Sequence, residues 1–244
     1  MTIRNLIARA LQGAVNAHGY SIVKLKDNRL TMDAAIEGIA ARRHQFNTVI
    51  DIGASNGSWS DQMMRRFPAC EYLLIEAQSV HKQSLVDFCA RHPNARFSLV
   101  AAGEGPGTIN FDASQPFAGQ ASAAPFKSNN TVVSVSSVDD EIDRHRLQPP
   151  FLIKLDTHGF ELPILRGARL ALEQTEVVVM ECYNFRISSE CLLFYEMCSH
   201  MENLGFRCLD LVAPLHRPLD NAFWQMDLVF VRTTRPEFSI PRYS

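Results

Sequence analysis

Short apolar runs alternate with amphipathic stretches along most of the chain. The runs contain many β-branched residues and few polar positions, whereas the stretches between them repeat apolar residues at helical spacing. The predicted strands are TVIDIG, EYLLIE, ARFSLVAA, FLIKLD and EVVVMEC, and the predicted helices between them include SWSDQMMRRF, SVHKQSLVDFCARH and ELPILRGARLALEQ. Continuous apolar strands separated by helices are typical of a parallel sheet covered on both faces, so the sequence predicts an α/β fold.

The C-terminal part departs from this alternation. A helix is predicted over about Glu190–Leu204, and the strands FRCLDLV and MDLVFVR then follow with only a proline-containing loop between them. Parallel strands need a long crossover connection, whereas antiparallel strands can be joined by a loop. We therefore expect an antiparallel hairpin at one edge of the sheet.

The first helical pattern of the chain ends at Gly19, where the strand-like segment GYSIVKL begins. Its arginines leave binding to a membrane surface as an alternative, although a stripe of Leu and Ala is more typical of packing against a domain. The apolar residues at helical spacing are Ile3, Leu6, Ile7, Ala10, Leu11 and Ala14.

A second helix is predicted over Thr31–Arg43, with Thr31 as its N-cap and with Ile36 and Ile39 facing inward. We expect residues 1–45 to form a helical extension that packs on a sheet domain of residues 46–244.

The segment Gly103–Asn130 is rich in Gly, Ala, Ser and Pro, with isolated Phe111, Phe117 and Phe126. A loop of this length inside a compact domain is usually functional or mobile, and it could act as a lid. The alternative is a solvated insertion that contains a short hairpin.

The composition is that of a globular protein, with 46% apolar and 20% charged residues among 244. The 24 Lys and Arg nearly balance the 26 Asp and Glu, which argues against binding to nucleic acid by bulk charge. The six cysteines form no C-x-x-C pair, so neither a redox motif nor a zinc site is indicated. No signal peptide or membrane span is apparent, so we expect a cytoplasmic protein; its oligomeric state stays open, with a homodimer as one alternative.

Two predicted strands end in residues that suit a nucleoside ligand. The first ends Asp51-Ile52-Gly53-Ala54-Ser55-Asn56-Gly57, where the glycines allow a tight turn beside a helix N-terminus. The second ends in Glu76, a position from which a carboxylate can accept both ribose hydroxyls. The G-x-x-x-G spacing differs from the dinucleotide motif G-x-G-x-x-G, and Asp51 favours a cationic ligand such as a sulfonium nucleoside over a pyrophosphate.

These residues carry a resemblance to a known family. VIDIGASNGSWS, the strand-terminal IEA, SVDDEID and above all FLIKLDTHGFELPILRGA resemble the FkbM family of class I S-adenosylmethionine methyltransferases over about residues 46–232. The resemblance implies a Rossmann-like seven-stranded sheet with a reversed C-terminal hairpin. It also implies methyl transfer to a hydroxyl oxygen, often that of a sugar or a secondary metabolite.

The resemblance also assigns residues to the cofactor. Asp51, Gly53, Ala54, Ser55 and Gly57 would hold the methionine end, and Glu76 the ribose. Ala101 and Ala102, at the end of the third strand, would lie near the adenine.

The fourth strand supplies the candidate catalytic residues. We predict that Asp156 and His158 bracket the acceptor hydroxyl, with His158 as the base because its ordinary pKa lies near neutrality. The alternative is that His158 only caps the turn, and it departs from the Gln or Glu that the resemblance leads one to expect. Lys154 and Glu161 are interpreted as structural, Lys154 as the partner of a carboxylate and Glu161 as a support for the next helix. The alternatives are a buried cation aimed at a substrate for Lys154 and a chemical role for Glu161.

The acceptor is expected to be a small molecule or a glycan. An aromatic and amide lining suits sugar rings, and the candidate residues are Glu181, Tyr183, Asn184, His216 and Trp224. Glu181 could instead complete a metal site with Asp156 and His158, although three ligands on separate strand ends are a weak signal and no metal is expected. The rival functions are an NAD(P)-dependent oxidoreductase on a similar sheet and a Rossmann-like binding module without activity.

Overall fold

The computed structural model of the protein describes residue 11, residues 15–18 and residues 28–243. The strands are β1 Thr48–Ile52, β2 Glu71–Ile75, β3 Ala95–Ser98, β4 Ala101–Gly103, β5 Gly107–Asp112, β6 Gln120–Ser122, β7 Asn130–Ser137, β8 Phe151–Leu155, β9 Thr175–Tyr183, β10 Phe206–His216 and β11 Phe223–Arg232. The helices are α1 Met32–Ala41, α2 Ser58–Arg66, α3 Lys82–Arg91, α4 Val138–His145, α5 Glu161–Arg166, α6 Arg169–Glu173 and α7 Phe194–Asn203, with 3₁₀ turns at Ser79–His81 and Pro236–Phe238.

The main sheet has seven strands in the order β10-β11-β9-β8-β1-β2-β3. The five strands from β9 to β3 are parallel, and β11 runs antiparallel to both β9 and β10. Every residue of the central strands β1 and β8 is buried, which explains why both are apolar apart from Thr48, Asp51 and Lys154. The predicted α/β class and the antiparallel C-terminal hairpin are confirmed.

Two apolar cores cover the faces of this sheet. On one face, Ile50, Ile153 and Met180 pack with residues of α4–α7. On the other face, Val49 and Leu152 pack with residues of α1–α3. Alternate residues of each strand therefore enter opposite cores, and the polar residues that follow the strands are left at the sheet's edge.

The prediction of a single third strand is wrong. ARFSLVAA divides into β3, which pairs with β2, and β4, which joins a second sheet of order β4-β7-β5-β6. The chain changes pairing partner after Ser98, because Ala101 pairs with Val135. An apolar run does not reveal such a change of partner.

The predicted loop 103–130 contains regular structure. The strands β5 and β6 pair as a hairpin, and β5 also pairs antiparallel with β7 along its whole length. The interpretation as an insertion with a short hairpin is therefore closer to the structure, although the hairpin belongs to a sheet of four strands.

The helix predicted over ELPILRGARLALEQ is two short helices, α5 and α6, with Gly167 between them. A Cβ atom at Gly167 would lie 1.9 Å from the carbonyl oxygen of Gly103. The close approach to β4 therefore requires glycine at this position, which lies between the two helical segments.

The helix predicted over Thr31–Arg43 is confirmed as α1. The Thr31 hydroxyl accepts a hydrogen bond of 3.2 Å from the Ala34 N–H, and Ile36 and Ile39 are buried. The first predicted helix and the GYSIVKL strand lie largely outside the described residues, so the division at residue 45 stays a prediction.

All six cysteines are free, and Cys70, Cys182 and Cys191 are buried. Among the described residues, none of the helices has both the length and the apolar character that crossing a membrane would require.

Candidate functional site

A cavity of 630 Å³ opens at the carboxyl ends of β1, β2, β8 and β9. In an open parallel sheet this edge is where ligands bind. The strap, which we define as residues 113–119 between β5 and β6, contributes part of the cavity wall. The polar residues that line the cavity are Ser55, Ser58, Glu76, Gln78, Gln120, Lys154, Asp156, Thr157, His158, Glu181, Tyr183 and Gln225.

The turn after β1 forms one wall of the cavity. Gly53 has φ +75°, and a Cβ atom on it would lie 2.0 Å from the carbonyl oxygen of Asp156. The ends of β1 and β8 can therefore approach this closely only with glycine at position 53. Gly53, Ala54 and Ser55 line the cavity. Gly57 is the N-cap of α2 and is absent from the described lining of the cavity, and a Cβ atom on it would lie 2.9 Å from the Phe88 ring.

Asp51 is completely buried behind this turn. Its carboxylate accepts a 2.7 Å hydrogen bond from the Ser60 hydroxyl and lies 3.7 Å from the ammonium of Lys154. Burial raises the pKa of Asp51, and Lys154 and Ser60 oppose that rise. Asp51 does not belong to the described residues that line the cavity. Its predicted contact with the methionine end of a cofactor stays a prediction, and its influence on the cavity passes through Lys154.

Glu76 directly follows β2 and lines the cavity. One carboxylate oxygen accepts a 2.7 Å hydrogen bond from the Ser55 N–H, and the other accepts one of 2.7 Å from the Gln78 N–H. Burial raises the pKa of Glu76, and the two N–H donors oppose that rise. Because each carboxylate oxygen has a further lone pair, Glu76 can still accept two hydroxyl groups.

Ala101 and Ala102 are buried in β4 and line the cavity from the second sheet. Val100, Phe111 and Phe160 are further apolar lining residues. This apolar part of the cavity suits a flat ring such as adenine, although the two alanines do not end a strand of the main sheet as the sequence suggested.

Lys154 connects two carboxylates. Its ammonium lies 2.8 Å from Asp156 and 3.7 Å from Asp51, and 5.4 Å from the ring centroid of Trp59. Burial alone would lower the pKa of Lys154, but Asp156 and Asp51 outweigh burial and raise it. The same ion pair lowers the pKa of Asp156 despite the burial of its carboxylate. The interpretation of Lys154 as a partner for carboxylates is confirmed.

His158 lies between two hydrogen-bond acceptors. Its Nδ1 is 3.0 Å from Glu181 Oε2, and its Nε2 is 3.2 Å from the Phe117 carbonyl oxygen. A carboxylate and a carbonyl both require an N–H, so this arrangement holds an imidazolium. Burial by itself lowers the pKa of His158, but Glu181 outweighs burial and the pKa rises to about 9.

Glu181 is held by several neighbours besides His158. The Tyr183 hydroxyl and the Gln225 amide both donate to its carboxylate. Asp227 on β11 pairs opposite Glu181, and burial raises the pKa of Asp227 to about 7. The structure therefore uses Glu181 to fix His158, and its capacity for acceptor hydroxyls is largely occupied.

The strap is attached on both sides of the cavity. The Pro116 carbonyl accepts hydrogen bonds from His81 Nε2 at 2.6 Å and from Gln78 Nε2 at 3.0 Å. On the opposite side, the Phe117 carbonyl accepts from His158, and Gln120 donates to the His158 carbonyl at 3.2 Å. Gln78, His81 and Gln120 were not predicted from the sequence, because their partners lie 35 to 38 residues away.

Glu161 stabilises the loop before α5. Its carboxylate accepts hydrogen bonds from the Gly159 N–H at 2.9 Å and the Thr157 hydroxyl at 3.1 Å. Glu161 is buried, and burial raises its pKa. These contacts agree with the structural interpretation of Glu161.

The predicted acceptor residues separate into two groups. Tyr183 and Trp224 line the cavity beside Glu181. Asn184 donates a 3.2 Å hydrogen bond to the Phe223 carbonyl and so holds the C-terminal hairpin, and His216 lies outside the main cavity. Only the first group lines the cavity that contains His158.

Asp156, His158 and Glu181 are also close enough to act together as metal ligands. One ligand atom from each residue lies within 4.8 Å of the others. Lys154 and the imidazolium of His158 already pair with these carboxylates, so their charge is compensated without a cation.

Comparison with known structures gives distant similarities. The precorrin-6y C5,15-methyltransferase of Geobacter metallireducens GS-15 is 12% identical, with a TM-score of 0.45 over 84% of this chain and 92% of that one. Aeropyrum pernix fibrillarin, solved with natively bound S-adenosyl-L-methionine, is also 12% identical, with a TM-score of 0.45 over 75% of this chain and 66% of that one. No curated protein matches the sequence.

A family model gives a direct assignment. The methyltransferase FkbM domain matches residues 51–208, which is well over half of the chain and includes the turn after β1, Glu76 and the Asp156–Glu161 loop. The chain therefore belongs to the FkbM family of methyltransferases, which use S-adenosylmethionine as the methyl donor.

Proposed function

We propose that the protein methylates a hydroxyl oxygen of a sugar, a glycan or a glycosylated small molecule. The observation that carries this proposal is the pair formed by His158 and Glu181, which lies in the same cavity as Glu76 and the Gly53–Ser55 turn. A cavity of 630 Å³ can accommodate both a nucleoside and a small acceptor.

The residues present fit the methyl donor. Glu76 offers two carboxylate oxygens to the ribose, and β4 offers an apolar surface to the adenine. The turn after β1 would hold the methionine end. When bound, S-adenosylmethionine supplies an electrophilic methyl group on a sulfonium.

His158 is the proposed base. When an acceptor hydroxyl displaces the Phe117 carbonyl, Nε2 of neutral His158 can take the proton of that hydroxyl. Glu181 then stabilises the imidazolium that forms, and Tyr183 and Gln225 hold Glu181 in place. Asp156, fixed by Lys154, can accept a hydrogen bond from a second hydroxyl and so orient a sugar ring.

A small acceptor fits better than a nucleic acid. The formal net charge is −2, and among the described residues that line the cavity the one Lys or Arg, Lys154, is paired with Asp156 and Asp51. The aromatic wall of Tyr183 and Trp224 can contact the apolar face of a sugar.

Methyl transfer to a panel of glycosides, followed by mass spectrometry across pH 6–10, tests this proposal. Because the base acts in its neutral form and its pKa is about 9, we expect kcat/KM to rise with pH up to about 9 and then level off. The rise should disappear in His158→Ala and His158→Gln. An unchanged pH profile in both variants would remove the role of His158 in proton transfer.

Calorimetric titration with S-adenosylmethionine and S-adenosylhomocysteine provides the control for the donor site. We expect binding by the wild type and by His158→Gln, and a loss of at least tenfold in affinity in Glu76→Ala. Glu76→Gln, which keeps one hydrogen-bond acceptor for the backbone, separates loss of the ribose contact from damage to the turn. Equal affinities in all four proteins would place the ribose elsewhere.

A further inference from the structure

A second concave surface adjoins the cavity on the C-terminal hairpin. We name it the hairpin groove, and its lining residues are Leu215, His216, Arg217, Pro218, Leu219 and Trp224. Tyr183 is the last residue of β9 to pair with β11, opposite Gln225, whereas β10 and β11 continue to the pair His216–Phe223. The hairpin thus projects beyond the end of β9, at the same edge of the sheet as the cavity.

Trp224 forms a wall shared by the groove and the cavity. Its ring stacks on Phe185, with 5.0 Å between centroids, and meets the edge of Tyr183 at 6.1 Å. The Trp224 carbonyl accepts a 2.8 Å hydrogen bond from the Asn184 N–H. The cavity and the groove therefore meet at the Trp224 indole, which these contacts hold in place.

The solvent-exposed surface of the groove is mainly apolar. Leu219 is 83% exposed and Leu215 is 51% exposed, although both are leucines. The Arg217 guanidinium lies 4.2 Å from the ring centroid of Phe185 and binds Asp220 through two hydrogen bonds of 2.8 Å and 2.6 Å. Because Asp220 neutralises that charge, the groove does not favour a phosphate or a carboxylate.

From these observations we infer that the hairpin groove binds an apolar alkyl or aryl part of the acceptor while its hydroxylated part occupies the cavity. The inference rests on the proposed O-methylation, and it identifies the acceptor as an amphipathic molecule such as an alkyl or aryl glycoside. The shared wall at Trp224 and the exposed leucines carry the inference, because solvated leucines gain free energy when an apolar group covers them.

The test uses two probes, the neutral apolar dye N-phenyl-1-naphthylamine and alkyl glucosides from methyl to octyl. We expect saturable dye fluorescence and displacement of the dye by the glucosides, with affinity rising by up to about fourfold per methylene. Leu219→Asp should weaken dye binding at least fivefold and flatten the dependence on chain length. Val132→Asp, at a position of the second sheet that is 65% exposed, is the matched control and should behave like the wild type.

Two results would overturn the inference. One is equal dye binding and equal chain-length dependence in the wild type and Leu219→Asp. The other is absence of saturable dye binding together with a dimer that Leu219→Asp converts to a monomer in analytical ultracentrifugation, which would assign the leucines to contacts between two copies of the chain.

The same experiment separates this inference from the proposed function, because the probes bind without methyl transfer. If the dye and octyl glucoside bind but no glycoside is methylated, the inference about the groove holds and the proposed reaction is contradicted. If glycosides are methylated with no effect of alkyl chain length, only the inference about the groove is contradicted.

Discussion

At the scale of single residues, Gly53 limits how closely β1 and β8 can approach. Substitution by alanine places a methyl group 2.0 Å from the Asp156 carbonyl oxygen at a φ of +75°. We expect Gly53→Ala to lower the free energy of unfolding by about 2 kcal/mol or more, as measured by urea denaturation. Gly105→Ala, which meets no atom within 4 Å, is the control and should change stability little. Similar losses in both variants would mean that the clash is relieved by a shift of the turn.

His158 links folding to pH. Its pKa is raised from 6.5 to about 9 in the folded state, so its stabilising contribution is complete below pH 6.5 and is lost as pH rises through 9. Across this window the free energy of unfolding should fall by about 1–3 kcal/mol more in the wild type than in His158→Ala. Urea titrations at pH 6, 7.5 and 9 measure the difference. Parallel curves for the two proteins would show that the ion pair with Glu181 does not stabilise the fold.

The residues that follow strands could be predicted because their type and position are both local properties. Glu76, Asp156 and His158 all line the cavity as the sequence suggests. Gln225 and the role of Glu181 could not be predicted, because they depend on the register of β11 against β9. An acid at a strand end predicts a polar site, but only the pairing shows which group that acid contacts.

At the scale of elements, the strap depends on a small number of hydrogen bonds. Removal of both donors to the Pro116 carbonyl, in the double variant Gln78→Ala/His81→Ala, should loosen it at one end. Each lost bond weakens attachment by about 1 kcal/mol, so loss of both should accelerate chymotrypsin cleavage after Phe117, which is 68% exposed, by up to about thirtyfold. His200→Ala, on α7, is the control. Equal cleavage rates would show that the strap is held by other contacts.

The sequence was a good guide to elements with a uniform environment. Buried strands flanked by helices have a clear pattern, and β1, β2, β8 and β9 lie where that pattern predicts them. The second sheet was missed because β5 and β7 are largely exposed and carry little periodic apolar signal. The break between α5 and α6 was missed, and the contact that requires glycine at position 167 could not be predicted because its partner, Gly103, lies far away in the chain.

At the scale of the whole molecule, the charges around the cavity predict independence from divalent metal. The carboxylates of Asp156 and Glu181 are already paired with Lys154 and His158. We therefore expect treatment with EDTA to leave kcat/KM unchanged within about twofold. The contrary result would be a loss of activity that magnesium restores in the wild type but not in Asp156→Asn. That result would make Asp156, His158 and Glu181 a metal site.

The second sheet begins and ends at neighbouring points of the structure. β4 and β7 pair in parallel, with Ala101 opposite Val135 and Gly103 opposite Ser137. The chain between these strands, which contains β5, the strap and β6, therefore leaves β4 and returns beside it at β7. For protein engineering, residues 104–134, which run from the end of β4 to the residue before β7 begins to pair with it, therefore form one exchangeable segment: replacing it with the corresponding segment of another family member would change the strap and its side of the cavity and leave Glu76 and the turn after β1 in place.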